Sequence, residues 1–570
     1  MLDDLKKCHD IYGLADLLEI PAKMLTFLLY KLPEDKKYVE FCISKKNGKS
    51  RIIHAPEDRL KRLQRNLSNI LYECQLDLEA HHGPSRSYGF QKNRGIYENA
   101  LVHRNKRWVF NIDLEDFFPS INFGRVITFF KKNNDFQLNS KVATYIAQIA
   151  CYEEKLPQGA PSSPIISNLL CGSLDYRLSR FARKNRCDYS RYADDITFST
   201  NLADFPESIA KTDESSQGWI AGTELSERIQ DAGFQLNPDK TRMSYRSDRQ
   251  MVTGLVVNQK PNAPREFYKN TRATIHNILT GRPVKIDRFC DPFSDNCGDG
   301  EPKAETATAV SEILPVLEGR ISFCHHISNR NDPRKDRAKF FNPSAVTKSY
   351  ADLLRLKYFV FGNRPIILTE GPSDLLYIKS YLKSATQSIS HLVDVDGSNN
   401  TIISDFYKFP SAPSSILGLS GGSGNLLLFM ERHYHFLKRL TKSIKPRPMI
   451  ILLDNDSGIK DLIPNLIKFY NTDISWKNDD KFYKLTSNMA VIKTPHLPTK
   501  IKTCVEDFID PKAIATKINN RSFSNLDDFD PKTHFGKVEL ANHIYDNRNN
   551  YNFSRLDEII QRISEAISTM

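Results

Sequence analysis

Tyr192-Ala193-Asp194-Asp195-Ile196-Thr197-Phe198-Ser199, read with Trp108-Val109-Phe110-Asn111-Ile112-Asp113 upstream, decides the fold. Both stretches have the composition of strands, and both carry carboxylates at one end. The first predicts a hairpin with Asp194-Asp195 at its tip and Ile196 to Ser199 returning. The second runs straight into Asp113. Two such strands side by side bring Asp113, Asp194 and Asp195 to one point. Three neighbouring carboxylates repel one another unless a cation neutralises them, and hard oxygen ligands with room left for phosphate suit Mg²⁺. A site of that kind supports two-metal phosphoryl or nucleotidyl transfer. An Asp-Asp pair alone is ordinary turn chemistry, so the reading depends on the blocks around it.

Leu156-Pro157-Gln158-Gly159-Ala160-Pro161-Ser162-Ser163-Pro164, with Ser167-Asn168, lies between the two acidic segments. Gly233-Phe234-Gln235-Leu236-Asn237-Pro238-Asp239-Lys240-Thr241 follows them. Four blocks in this order resemble the palm of a reverse transcriptase. Three further segments resemble those of retron reverse transcriptases. Asn99-Ala100-Leu101-Val102-His103 matches their NAxxH segment, and Val252-Thr253-Gly254 matches their VTG triplet. Arg51-Ile52-Ile53-His54-Ala55-Pro56, with Leu60, Lys61 and Gln64, is similar to their fingers.

The resemblance implies roles. Asp113 and Asp194 would bridge Mg²⁺ ions with support from Asp195. Gln158 would meet the incoming deoxynucleoside triphosphate, Arg51 would clamp its phosphates, and Lys240 would neutralise the departing pyrophosphate. Phe118, five residues after Asp113, would exclude a ribose 2′-hydroxyl, so the product would be DNA. Asn99, His103, Val252, Thr253 and Gly254, with a basic thumb, would recognise RNA. The family copies a dedicated structured noncoding RNA and primes from a 2′-hydroxyl inside it, giving branched RNA–DNA (msDNA).

Composition agrees with a nucleic-acid partner without specifying one. The 570 residues carry a formal charge of +12 and are 40% hydrophobic, enough for two to four packed domains. A basic surplus suits a polyanion. Ten cysteines are scattered without a C-x-x-C pair, which disfavours a structural zinc site; free thiols fit a reducing bacterial cytoplasm. Met1-Leu2-Asp3-Asp4-Leu5-Lys6-Lys7 is unlike a signal peptide, and no apolar run reaches membrane length, so no membrane partner is expected.

The predicted organisation is N-terminal helices and fingers over 1–105, a palm over 106–258, a thumb and basic linker over 259–340, and a second module over 341–570. Asn47-Gly48 predicts a basic hairpin over Lys45–Ser50. Helical spacing runs from Lys269 to Leu279, and residues 281–305 read as an exposed loop.

In the second module Pro365-Ile366-Ile367-Leu368-Thr369 is an apolar strand ending in Glu370-Gly371, and Ser373-Asp374 opens a helix. Pro448-Met449-Ile450-Ile451-Leu452-Leu453 ends in Asp454-Asn455-Asp456. Continuous apolar runs predict strands buried on both faces of a parallel sheet, whose carboxyl ends are where such folds hold ligands. Alternate strand residues point the same way, so Asp454 and Asp456 are predicted to share a metal, with Glu370 beside it as a third ligand or a general acid–base. This pattern resembles a TOPRIM domain. Leu419-Ser420-Gly421-Gly422 falls where that family often has a glycine pair, and Glu506-Asp507 resembles the late acidic motif of its nuclease versions. Gly458 stands where topoisomerases carry a third Asp, which favours the nuclease and primase branches.

The fold class expected is therefore multidomain α/β: a fingers, palm and thumb polymerase followed by a Rossmann-like parallel-sheet domain. Three roles for that last domain stay open: an Mg²⁺-dependent antiphage nuclease acting on DNA, tRNA or another RNA; a module that only binds nucleic acid or assembles a homo-oligomer with msDNA; or a primase.

Overall fold

The computed structural model describes all residues except 45–49, 214–217, 285–309, 398, 420–422 and 525–527. The basic hairpin loop after Ser44, most of the 281–305 loop and the Gly421-Gly422 pair lie outside the described residues. The chain forms two compact units, one from Met1 to Pro264 and one from Arg265 onward.

The first unit starts with short helices at Leu2–Lys7, Ile11–Leu17 and Ala22–Tyr30. Strands β1 (Tyr38–Ser44) and β2 (Ser50–Pro56) form an antiparallel pair. The helix Asp58–His82 follows, and it buries Leu60, Leu63, Leu67, Ile70, Leu71 and Cys74 along one stripe, as an amphipathic helix must. The central sheet is built from β3 (Trp108–Asp113), β4 (Asp188–Tyr192), β5 (Asp195–Thr200) and β8 (Arg242–Tyr245), in the order β4-β5-β3-β8 and antiparallel throughout. A small pair, β6 (Ala210–Thr212) and β7 (Trp219–Ala221), precedes β8. A tight hairpin, β9 (Met251–Val252) and β10 (Leu255–Val256), follows it. Phe110, Ile112, Ile196 and Phe198 fill one core with Ile165, Ile166 and Leu174 of helix Ser163–Lys184. Register is decisive here. Asp113 pairs directly with Asp195, and a slip of one residue would turn one carboxylate to the opposite face.

The second unit contains helices Arg265–Thr280, Val310–Arg330 and Ala345–Arg355. The first of these spans the stretch predicted to be helical from Lys269 to Leu279. The sheet of this unit is formed by β11 (Ile366–Leu368), β14 (Asp405–Phe406), β15 (Met449–Leu453), β16 (Tyr483–Thr486) and β17 (Met489–Lys493), in the order β14-β11-β15-β17-β16. All neighbours are parallel except β16 and β17. A separate antiparallel hairpin, β12 (Val393–Asp396) and β13 (Asn399–Ile402), lies between β11 and β14 in sequence. Every residue of β15 and β17 is buried, under a core shared with Tyr377, Ile378, Leu540, Ile544, Ile560 and Ile563 of the flanking helices. Among the described residues no helix is long and apolar enough to cross a membrane.

Candidate active sites

The first site is built on the β4–β5 hairpin. Tyr192 pairs with Asp195, leaving Ala193-Asp194 as a two-residue loop. Ala193 has φ +58°, a left-handed conformation that costs a residue with a Cβ about 1 kcal/mol or more. Its surroundings enforce it. Arg191 Nη1 donates to the Ala193 carbonyl at 2.9 Å, and the Leu114 amide donates to the Asp194 carbonyl at 3.1 Å. Gly89 backs the turn so closely that a Cβ there would lie 2.6 Å from the Ala193 nitrogen. Arg191 is wholly buried and locked to Asp175 by two hydrogen bonds, Nε to Oδ1 at 2.8 Å and Nη2 to Oδ2 at 2.7 Å. This bidentate pairing fixes the guanidinium in one plane.

Asp113 is buried at the end of β3, and both of its carboxylate oxygens lie 2.8 Å from Lys240 Nζ. The turn Pro238–Lys240 delivers that lysine. It is held by the Asn237 amide donating to the Asp113 carbonyl at 2.9 Å and by the Asn237 side chain accepting from the Asp239 amide. Burial, then the charges of Asp194 and Asp113, push the Asp195 carboxyl up to about 7. Burial and Asp113 also raise Asp194, against the pull of Lys240 and Arg51. Burial would lower the Lys240 ammonium, but its contact with Asp113 and the neighbouring acids more than offset that.

The acids outnumber the one ammonium in contact with them, and two of the three resist ionising. A divalent cation corrects exactly that imbalance, and the donor set is all hard oxygen. Among the described residues no group of three or more acidic, His or Cys side chains stands, as it is placed here, in position to hold a metal ion; in the first site Lys240 holds the Asp113 carboxylate.

Of the other predicted nucleotide contacts, Arg51 is near enough to act on the Asp194 carboxyl, and Gln158 is tied to the strand that carries Arg51. The Gln158 carbonyl accepts from the His54 amide at 2.9 Å, which fastens its loop to β2, the strand that carries Arg51. Gly159 makes this possible: its φ is +119°, and a Cβ there would lie 2.8 Å from the His54 carbonyl oxygen. Phe118 is half-buried, its ring 5.3 Å from Phe117 and 6.0 Å from Phe90. A cavity of about 640 Å³ joins Asp113, Tyr192, Asp195 and Lys240 to Thr253 and Gly254.

The predicted RNA-binding set divides in two. Thr253 and Gly254 form the loop between β9 and β10, with φ +45° and +79°. Positive φ at both positions is the geometry of a two-residue hairpin turn, and this turn lines the cavity. Asn99, His103 and Val252 are corrections to the sequence reading, because all three are buried and none presents a side chain to a ligand. His103 Nδ1 lies 2.7 Å from Ser199 Oγ and Nε2 lies 2.8 Å from Ser190 Oγ. Ser190 Oγ donates to Asn99 Oδ1 at 2.6 Å, and Asn99 Nδ2 donates to Thr253 Oγ1 at 3.4 Å. Burial lowers His103 to about 3, so the imidazole is neutral. Asn99 and His103, four apart on one helical face, thus brace the hairpin internally.

The second site lies at the carboxyl ends of β11 and β15. Asp374 caps its own helix by accepting from the Gly371 amide at 3.0 Å, and Asp454 Oδ1 accepts from the Val505 amide at 3.0 Å. Burial, with Glu506 next, pushes Asp374 up to about 7. Burial followed by Asp374, Glu506 and Glu370 raises Asp454 far above the carboxylate range. Burial and Asp456 raise Glu370. Glu506 is buried, and neither of its oxygens has a hydrogen-bond partner. Lys537 Nζ lies 3.2 Å from Oε1, an ion-pair distance without good hydrogen-bond alignment.

Glu370, Asp374, Asp454 and Glu506 therefore act on one another's charge, and Asp456 acts on Glu370 from the exposed rim rather than from within the buried set. β15 ends at Leu453, and Asp456 is exposed at the rim, where its Oδ1 accepts from the Gly458 amide at 2.7 Å. Asp507 points elsewhere, with both oxygens 2.6 Å from Lys500 and one capping the Cys504 amide at 2.9 Å. Lys537 was missed by the sequence reading, since nothing local marks it. Gly89, Arg191 and Asp175 were missed too, although Ser87-Tyr88-Gly89-Phe90 carries a visible glycine.

A compact antiparallel palm sheet with acids at one hairpin tip and a basic turn beside them defines a nucleic-acid polymerase of the reverse transcriptase class. Residues 43–267 match the family model described as reverse transcriptase (RNA-dependent DNA polymerase). The chain is 34% identical over 283 residues to the retron Ec86 reverse transcriptase of Escherichia coli, covering 49% of this chain and 81% of that one. It is 36% identical over 350 residues to the retron Mx162 reverse transcriptase of Myxococcus xanthus, covering 57% of this chain and 64% of that one. The chain belongs to the retron reverse transcriptase family. A telomerase structure from Candida albicans is similar over 55% of the chain and 60% of its own length, at 10% identity and a TM-score of 0.29, a likeness from which nothing further is drawn.

Proposed function

We propose that the first unit is an RNA-directed DNA polymerase that copies a structured noncoding RNA into branched RNA–DNA, and that the second unit carries a separate Mg²⁺-dependent nuclease of TOPRIM type. The pairing of Asp113 with Asp195, Asp194 between them in the hairpin loop, is the observation that supports the first reading most. The residues fit Mg²⁺, with Asp113, Asp194 and Asp195 as its holders; when bound, it supplies an activated hydroxyl nucleophile and charge neutralisation at the leaving phosphate.

The chain's own groups do the rest. Ala193 and Arg191 keep the hairpin loop in one conformation. Lys240 holds both oxygens of Asp113 and stands ready to release them and meet phosphate oxygens. Arg51, carried by β2, would meet the triphosphate, and the Gln158-Gly159 loop is fastened to that strand at His54. Phe118, beside Phe90, forms the wall that a 2′-hydroxyl would strike. Thr253 and Gly254 offer backbone to RNA at the far end of the cavity, the kind of shape and 2′-hydroxyl contact on which structured RNA recognition relies.

In the second unit, four convergent acids include one, Glu506, buried without a hydrogen-bond partner. That is an expensive arrangement, and a metal would relieve it. Glu370, Asp374, Asp454 and Glu506 would hold Mg²⁺, with Asp456 at the substrate entrance. Fusion to a polymerase of this family supports an effector held in check by its branched DNA and released during phage infection.

The test measures both products in one strain set. Asp194→Ala with Asp195→Ala should abolish branched DNA. Asp454→Ala with Glu506→Ala should leave branched DNA intact while removing toxicity and phage defence. Normal branched DNA in the first variant overturns the polymerase assignment. Full defence in the second makes the C-terminal unit a binding scaffold.

A further inference from the structure

The rim of the second acid cluster contains groups that metal chemistry does not require. Asn455, between Asp454 and Asp456, is buried and reaches two separate loops with one side chain. Its Nδ2 donates to the Trp476 carbonyl at 3.3 Å and to the Ile501 carbonyl at 2.9 Å. Trp476 is half-buried, and Ile501 is 53% exposed. Two lysines flank the indole: Lys460 Nζ lies 4.8 Å from the ring centroid and Lys477 Nζ 5.5 Å from it. Lys460 sits in the first turn of helix Ile459–Tyr470, directly after the Asp456–Gly458 turn.

Position and chemistry both matter here. An exposed aliphatic side chain and a partly open indole, bracketed by ammonium groups, would be a poor choice for a solvent-facing rim. Such a pairing suits a nucleobase and its phosphates, since any base offers a π face to an aromatic ring and lysines neutralise the backbone. A base paired inside a duplex has no free face, so only an unpaired nucleotide can use the platform. Asn455 makes the link to chemistry rigid, because the residue that carries the platform stands between two acids of the cluster.

We propose that Trp476, with Lys460, Lys477 and Ile501, is a stacking platform for an unpaired nucleotide, and that the C-terminal site acts on single-stranded or looped nucleic acid rather than on continuous duplex. The platform deepens the nuclease reading and rests on it for its catalytic consequence, though not for binding. When a base stacks on the indole, the two ammonium groups leave the ring faces for the flanking phosphates.

The full-length protein in Ca²⁺, which occupies oxygen sites without supporting cleavage, is irradiated with three probes: a single-stranded oligodeoxynucleotide carrying 5-iodouracil, an oligoribonucleotide of the same sequence, and the blunt DNA duplex. Crosslinked peptides are mapped by mass spectrometry. A crosslink at Trp476 with either single strand and not with the duplex is expected, and the two single-stranded arms show which sugar is preferred. Trp476→Ala should remove it and slow Mg²⁺-dependent cleavage of the single strand about tenfold or more. Trp476→Phe, which keeps a ring and serves as the folding control, should retain most of both. Equal crosslinking with duplex, crosslinks confined to the first unit, or unchanged cleavage by Trp476→Ala would overturn the platform. A crosslink at Trp476 in a protein that cleaves nothing in Mg²⁺ keeps the platform and removes the nuclease reading, so the two failures are distinct.

Discussion

The two acid clusters solve the same electrostatic problem by different means. In the first, three carboxylates come from two antiparallel strands, and a lysine grips one of them through both oxygens. In the second, the acids come from the ends of two parallel strands, a helix N-terminus and a 3₁₀ turn, and the one lysine in contact reaches only Glu506. A hairpin sets its carboxylates by register alone, so local sequence suffices. A parallel sheet must gather its acids from distant segments, and their relative positions depend on the whole core. The first cluster is thereby partly neutralised in advance, while the second keeps more unrelieved charge.

The largest effect that would break this contrast is loss of function on one side only. Asp195→Asn should lower DNA synthesis by at least about 10³-fold, the scale for removing a group that stabilises transition-state charge, with no change in cleavage by the second unit. Asp454→Asn should do the converse. Primer extension and oligonucleotide cleavage measured on the same preparations decide it, and loss of both activities in either variant would join the two sites functionally.

Gly89→Ala comes next. Its Cβ would press on the Ala193 nitrogen, and overpacking of this kind costs roughly 1–3 kcal/mol. Polymerase turnover should drop about 10- to 100-fold, with normal folding by circular dichroism and unaltered cleavage. Unchanged turnover would mean that the catalytic turn has slack that the contacts do not suggest.

Proton linkage sharpens the comparison further. Asp195 and Asp374 each ionise near 7 in the fold instead of near 3.8. Below about 4 both folded and unfolded states hold the proton. Between about 4 and 7 the unfolded chain releases it and the folded chain keeps it, so metal-free stability falls as pH rises through that window. Mg²⁺, which needs the ionised carboxylates, should stabilise the protein more at pH 7.5 than at pH 5.5. Thermal melts with and without Mg²⁺ test this: Asp195→Asn and Asp374→Asn should each flatten part of the pH dependence. A slope untouched by both substitutions places the shift elsewhere.

The smallest effect is expected at Asp507. Its carboxylate caps the Cys504 amide and pairs with Lys500, so Asp507→Ala should cost about 1 kcal/mol of stability and leave cleavage within a few-fold. Glu506→Gln should disable cleavage. Equal loss in both would return Asp507 to the site.

Much of the first unit was legible because its signals are local: strand, acids, hairpin, then the Asn-Pro-Asp-Lys turn. The parallel sheet of the second unit was legible from runs such as Ile450-Ile451-Leu452-Leu453. Asp456 keeps its predicted neighbour Glu370 but sits at the exposed rim, because strand alternation stops at Leu453, where the backbone leaves the sheet. Asn99 and His103 were read as RNA contacts because polar residues in a recognised motif suggest a surface, whereas here both are satisfied inside through Ser190. Lys537 could not be found at all, since its partner Glu506 is brought to it only by packing.

The buried contacts of His103 also fix a direction. Ser190 has a single hydroxyl proton, and it goes to Asn99 Oδ1. His103 Nε2 must then carry hydrogen to reach Ser190, so Nδ1 is bare and Ser199 must donate to it. Asn99 passes its amide hydrogen to Thr253, whose hydroxyl donates to the Ile96 carbonyl at 3.4 Å. Five donors thus point head to tail from β5 to the turn that faces the cavity, and aligned dipoles of this sort reinforce one another. With the Asn99 amide in this orientation the chain has one tautomer and one proton order, and reversing a single link would set two hydrogens, or two lone pairs, face to face. The hairpin that holds the acids and the turn offered to RNA are joined by a vector with a fixed sense, like a keyed connector that mates in one orientation.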